Sequence, residues 1–273
     1  MRAYRLAYDG TDYYGFQRQP DVPTVEGELF DALAALGVAV DRGPGENRPA
    51  GYTAAGRTDA GVSALAQTVA FEAPDWLTPA ALNGELPASV RAWASASVDE
   101  DFHATVDAIR REYVYYLHAP ALDDDLAASA LERLAGEHDF SNLTSDDEGT
   151  VRTLETDCER HGELLEICVA ADGFPRHLVR RVVTLVSDAA AGAAPLDRVD
   201  RLLDLSPVPG KIGVGPAQGA GLVLHDVEYP IAFQPDPDAA ASAREVFAER
   251  YATHRTAATV SGAIRDWIDD ARQ

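Results

Sequence analysis

Chemistry is most concentrated in the run Gly56-Arg57-Thr58-Asp59-Ala60-Gly61, where an arginine and an aspartate stand two apart between glycines. Glycine lets the backbone turn tightly and come close to a ligand. A carboxylate carried on such a loop can be held at the floor of a cleft, and the neighbouring guanidinium can reach a phosphate or fill the space left by a displaced base. The same residues also suit a purely structural Asx turn, so composition alone leaves the choice open. The other clusters are weaker. Asp123, Asp124 and Asp125 stand between Leu122 and Leu126 with no glycine-punctuated ligand loop, which suits the start of a helix, where acidic side chains complement the helix dipole, better than a metal site. His103, His138 and His177 show no metal-ligand spacing, and Cys158 and Cys168 are too few for a disulfide framework or a zinc site.

The elements that must position these residues alternate strand and helix. A strand over Tyr4–Tyr8 ends at the turn signal Asp9-Gly10, and a helix over Val25–Leu36 has Thr24 as its N-cap. Short strands at Tyr52–Ala55 and Thr68–Phe71 follow, then a helix over Pro79–Leu86 and a strand over Val90–Val98. The second half reads as a strand over Arg111–His118, a helix over Leu126–Ala135, and a hairpin of Val151–Cys158 with Leu164–Ala171 about His161-Gly162. A helix after Pro175, a shorter one over Leu196–Leu205 and a strand over Leu222–Tyr229 complete it. The two halves repeat a loose strand, helix, strand order, consistent with two related α+β lobes. The stretch Phe233–Asp238 reads as a linker, and Ala239–Gln273 as two helices.

The 273 residues carry 45 acidic against 23 basic side chains, a net charge of −22, and Lys211 is the only lysine. Acidic residues are spread along the whole chain, the pattern expected of adaptation to concentrated salt. There the screening length falls to about 3 Å or less and self-repulsion is suppressed. The net charge therefore does not exclude RNA as a partner. No apolar run approaches the ~20 residues needed to span a bilayer, and the amino terminus opens into strand-like alternation, so a soluble cytoplasmic protein is expected.

Taken in order, several segments resemble the tRNA pseudouridine synthase A family. They are Gly56-Arg57-Thr58-Asp59-Ala60-Gly61-Val62, Tyr8-Asp9-Gly10-Thr11-Asp12-Tyr13-Tyr14-Gly15-Phe16-Gln17-Arg18-Gln19, Phe102-His103-Ala104 with Arg111-Glu112-Tyr113-Val114-Tyr115, Gly136-Glu137-His138-Asp139-Phe140, Phe174-Pro175-Arg176-His177-Leu178-Val179-Arg180, and Gly221-Leu222 with Val227-Glu228-Tyr229. The resemblance runs from Arg2 to Pro230. Together these ordered matches are far more specific than one short motif. Departures are Phe16 for a common tryptophan, Ser63 for histidine, Thr105 for arginine and Leu178 for methionine.

The resemblance implies a pseudouridine synthase fold: two RNA-recognition-like α+β lobes around a central, mostly antiparallel sheet with the active-site cleft between them. The expected division is 1–104, carrying the Asp59 loop, 105–232, and a helical extension over 233–273. It further implies isomerisation of uridine in the anticodon stem-loop of tRNA, at tRNA positions 38–40, without cofactor or metal, by a homodimer. Asp59 would be the catalytic carboxylate, attacking the sugar or removing a sugar proton. Tyr113 would stack on the flipped base, and Arg180 would pair with Asp59 as a bidentate fork. Arg57, Arg18, Arg111 and Arg176 would handle RNA, while Arg110 and Arg181 are equally readable as ion-pair partners on an acidic surface. Two other classes compete: a catalytically silent RNA-binding module of the same fold, and an unrelated metal-dependent hydrolase built on clustered carboxylates.

Overall fold

In the computed structural model, which describes residues 1–40, 48–204 and 214–270, one ten-stranded sheet runs through both halves of the chain. The first half supplies β1 (Arg2–Tyr8), α1 (Val25–Ala35), β2 (Thr53–Ala54), β3 (Ser63–Phe71), α2 (Pro79–Asn83) and β4 (Val90–Ser97). The second supplies β5 (Arg110–His118), α3 (Asp124–Leu134), β6 (Gly136–Asp139), β7 (Val151–His161), β8 (Leu164–Ala171), α4 (Leu178–Ala190), α5 (Asp197–Leu203) and β9 (Leu222–Glu228). A two-residue strand, β10 (Gln234–Pro235), and a 34-residue helix, α6 (Pro237–Asp270), follow. Strand order is β10-β4-β1-β3-β9-β5-β8-β7-β6, with β2 paired to β3.

The sheet is antiparallel except where β9 lies parallel to β3, with Ser63 opposite Val223 and Ala64 opposite Leu224. On its other side β9 is antiparallel to β5. The late strand thus enters mid-sheet, beside the point where the Asp59 loop becomes β3. Two apolar clusters flank this seam. One gathers Tyr4, Tyr8, Phe16, Leu29, Leu33 and Phe71 under α1; the other gathers Leu131, Leu134, Ile167, Val182 and Val186 under α3 and α4. From β9, Leu224 and Val227 enter the first cluster and Leu222 the second. Each fully buried Leu, Val or Phe contributes about 1.5–3 kcal/mol, so the seam is a stiff place to mount a loop.

Local signals fixed several boundaries. The Thr24 hydroxyl accepts from the Gly27 N–H to cap α1, and the Asp123 carboxylate accepts from the Leu126 N–H to cap α3, so the acidic cluster is a helix start. Gly162, at φ 63°, turns the β7–β8 hairpin. Elsewhere the structure corrects the expectation. Strand β3 begins at Ser63, five residues before the expected start at Thr68, and the added part includes Gln67, a fully buried polar residue. Gln67 is satisfied there, its amide donating to the Gly56 carbonyl. Helix α2 stops at Asn83, where Gly84 caps it. The supposed linker contains β10, which pairs with β4 and forms the edge of the sheet; Pro235 is tolerated at an edge, where its missing N–H costs little. The tail forms one helix, not two, continuing through Gly262 despite a cost of about 1 kcal/mol there. The end of the helix expected at Leu196–Leu205, Lys211 and the last three residues fall outside the described residues. No helix among them is long and apolar enough to cross a membrane.

Candidate active site

The Asp59 loop is clamped from two sides by backbone that only glycine permits. A Cβ on Gly10 would lie 2.0 Å from the Val62 carbonyl oxygen, and one on Gly219 would lie 2.2 Å from that of Ala60. Between these contacts the Phe16 N–H donates to the Thr58 carbonyl and the Gly61 N–H to the Tyr13 carbonyl. The Tyr8 and Thr58 hydroxyls share a 2.7 Å hydrogen bond beneath the loop. The segment from Tyr8 to Phe16 is therefore the socket of the Asp59 loop. Two of the departures have places here: Phe16 is fully buried against Tyr8, and the Ser63 hydroxyl accepts from the Gly10 N–H. The Thr105 hydroxyl donates to the Ala54 carbonyl just before the loop.

Helix α4 points its first turn at this loop. Arg180 Nη1 donates to Asp59 Oδ2 at 2.8 Å, while its Nε donates to the Ala217 carbonyl at 2.6 Å. The pairing expected from sequence is present, but not as a bidentate fork, because the guanidinium divides itself between the carboxylate and a backbone carbonyl. The second carboxylate oxygen, Oδ1, faces His177 Nε2 at 3.3 Å. Asp59 keeps a third of its side-chain surface accessible, so it is fixed yet reachable. His177, which the sequence suggests as a packing or RNA-contact residue, instead faces the carboxylate. Its type and spacing gave no metal pattern, and as the left-handed N-cap ahead of α4 it lies outside the helix, where spacing from Arg180 carries no signal.

Beside Asp59 lies a small pocket of about 110 Å³, lined by Arg57, Tyr113, Phe174, Arg176, His177 and Arg180 among others. Its size suits one flat ring rather than a whole nucleotide. Tyr113 of β5 meets Phe174 edge to face, with centroids 5.3 Å apart. Burial pushes the Tyr113 phenol up to about 12, with the nearby Asp59 charge adding to the rise and Arg111 opposing it. The phenol therefore stays neutral at any physiological pH.

Arg57 also lines a larger polar groove of about 1000 Å³, so the pocket and groove share a wall. Arg18, Arg48 and His103 line the same groove, together with Asp21 and Glu26. Arg57 and Arg18 are exposed, as is Arg176 at the pocket rim. Arg111 is brought near but is spent as a brace, donating to the carbonyls of Ala55, Thr105 and Asp172. Arg110 is held by Glu112, Glu155 and Glu228, and Arg181 donates to the Leu143 carbonyl. Those two are structural partners. Among the described residues no group of His, Cys, Asp and Glu is arranged to hold a metal.

The geometry meets a consistent set of relatives. The family model described as tRNA pseudouridine synthase matches residues 130–230. Over 278 aligned residues the chain is 57% identical to tRNA pseudouridine synthase A of Haloarcula marismortui, spanning 98% of this chain and all of that one. The proteins of the same name from Natronomonas pharaonis and Halobacterium salinarum are 54% and 52% identical, over 97% and 96% of this chain and 97% or more of their own. These are halophilic archaea, in keeping with the acidic, lysine-poor composition. The chain belongs to the tRNA pseudouridine synthase A family.

Proposed function

We propose that this tRNA uridine isomerase acts in the anticodon stem-loop, at tRNA positions 38–40, with Asp59 as its catalytic carboxylate. The observation that carries the reading is the Arg180–Asp59 pair at the wall of a ring-sized pocket that shares Arg57 with a polar groove lined by Arg18 and Arg48. A target base stacked inside RNA must be flipped out, at a cost of a few kcal/mol. Stacking on Tyr113 returns about 1–3 kcal/mol of it. Arg57 stands where it can occupy the vacated space or hold the phosphate, while Arg18 and Arg176 offer further phosphate contacts. Arg111 serves RNA indirectly, by bracing the entrance to the loop.

Asp59 then acts at the ribose, by attack on the sugar or by removal of a sugar proton; both routes need an ionised, fixed carboxylate. Uracil leaves through its nitrogen, rotates in the pocket and is rejoined through carbon. The lobes carrying these parts are 1–104 and 105–232, and the working unit is a homodimer. The test is positional: an unmodified tRNA transcript is incubated with the protein in concentrated KCl with a chelator, and pseudouridine is mapped by carbodiimide-dependent reverse-transcription stops. Stops confined to the anticodon stem-loop are expected; stops only elsewhere would refute the assignment.

A further inference from the structure

Arg180 touches one oxygen of Asp59 and commits its Nε to Ala217, which leaves the other carboxylate oxygen to a different donor. Held at Oδ2 alone, a carboxylate can still swing about its last bond. His177 Nε2 stands 3.3 Å from Oδ1, reaching it from the N-cap position just ahead of α4. Resting on the reading of Asp59 as the catalytic carboxylate, we infer that His177 is a positioning residue: its imidazole holds Oδ1 through the 3.3 Å electrostatic contact while Arg180 fixes Oδ2, and the two together set the plane of the carboxylate.

The backbone gives independent support. His177 is one of two non-glycine residues among those described with positive φ, at φ 62° and ψ 7°, a left-handed conformation that costs about 1–2 kcal/mol for a residue with a side chain. Local hydrogen bonding does not repay this cost. The imidazole makes no cap to the helix N–H groups, although His177 is the N-cap residue and its carbonyl accepts the first helical bond, from the Arg181 N–H. Asparagine, serine or glycine would start this helix better. What the left-handed turn does is aim the ring into the pocket at Asp59. Either the imidazolium or the neutral tautomer protonated at Nε2 presents a positive N–H edge to Oδ1.

This makes an unusual separation of fold from function testable. His177→Gly removes the backbone strain, so its thermal midpoint in molar KCl should equal or exceed that of the wild type. Its single-turnover rate on unmodified tRNA should nevertheless fall about tenfold to a hundredfold, the scale of a small misplacement of a reacting group. Its tRNA affinity should stay within about twofold of the wild type, since a loss confined to the rate constant marks the chemical step. His177→Gln, whose amide nitrogen can stand near the place of Nε2, should recover most of the rate. A wild-type rate in His177→Gly, or equal losses in His177→Gly and His177→Gln, overturns the inference. Should the glycine variant lose its fold, the same comparison is read between His177→Ala and His177→Gln. Asp59→Ala runs alongside: if it keeps full activity, the reading of Asp59 fails, whereas an inactive Asp59→Ala beside a fully active His177→Gly removes only the role of His177.

Discussion

Arg180 and Asp59 lie 121 positions apart in sequence and 2.8 Å apart in space, one at the start of α4 and the other on the loop that leads into β3. The contact ties the Asp59 loop to the first turn of α4, so it is at once electrostatic and structural. Arg180→Ala would leave the carboxylate without its arginine and the Ala217 carbonyl without a donor. Leaving such groups unsatisfied costs about 1–3 kcal/mol. Denaturant titration in high salt should show a loss of that size, and the isomerisation rate should drop by more than tenfold. Arg180→Lys keeps the charge but cannot serve both acceptors, and should fall between. A fully active Arg180→Ala would show that the pair does not set the carboxylate.

The glycine socket makes a second prediction. In Gly10→Ala the new methyl would sit 2.0 Å from the Val62 carbonyl oxygen, so backbone must move. Overpacking of this kind costs about 1–3 kcal/mol, and the displaced loop should lose most of its activity. Gly56→Ala is the control for stability, since its Cβ would meet nothing within 4 Å. Equal unfolding midpoints for the two variants would contradict the clamp.

Buried phenols predict the alkaline limit of the fold. Burial raises Tyr4, Tyr113 and Tyr229 from about 10 to about 12. A group whose folded pKa is raised contributes stability that is fully present below its unfolded value and is lost as pH climbs through the folded one. Stability should therefore hold up to about pH 10 and fall between about 10 and 12, each phenol adding about 1.4 kcal/mol per pH unit to the slope. Tyr113→Phe should flatten that slope by one phenol's share in an unfolding series across this range. An unchanged slope would show that Tyr113 titrates alike in both states.

Much of the fold was legible because its signals are local. The Thr24 cap, the Asp9-Gly10 turn and the His161-Gly162 hairpin needed only neighbouring residues, and the structure has all three. The early start of β3 was hidden because burial of Gln67 depends on a partner supplied by the tertiary fold, the Gly56 carbonyl. The same holds in the site. Asp59 and Arg180 announced themselves through the motifs that carry them, but the division of Arg180 between two acceptors and the approach of His177 arise only when α4 meets the loop. Arg111 shows the converse: a cation beside the right motif was read as an RNA contact, while its carbonyl acceptors, Ala55 and Asp172 among them, come from distant segments.

Charge predicts an inverted response to salt. With a net charge of −22, self-repulsion is screened in molar salt, where the Debye length is about 3 Å, and grows as that length approaches about 10 Å near 0.1 M. The thermal midpoint should fall as KCl is lowered, and tRNA binding should weaken with it. A midpoint independent of KCl would contradict the high-salt reading of the composition.

The most direct test of the central claim compares wild type with Asp59→Ala in concentrated KCl, with a chelator and no added metal, scoring pseudouridine in an unmodified tRNA transcript. Product from the wild type and none from a folded, tRNA-binding Asp59→Ala is the predicted result; pseudouridine formed at an undiminished rate by Asp59→Ala would contradict the assignment of Asp59 as the catalytic carboxylate.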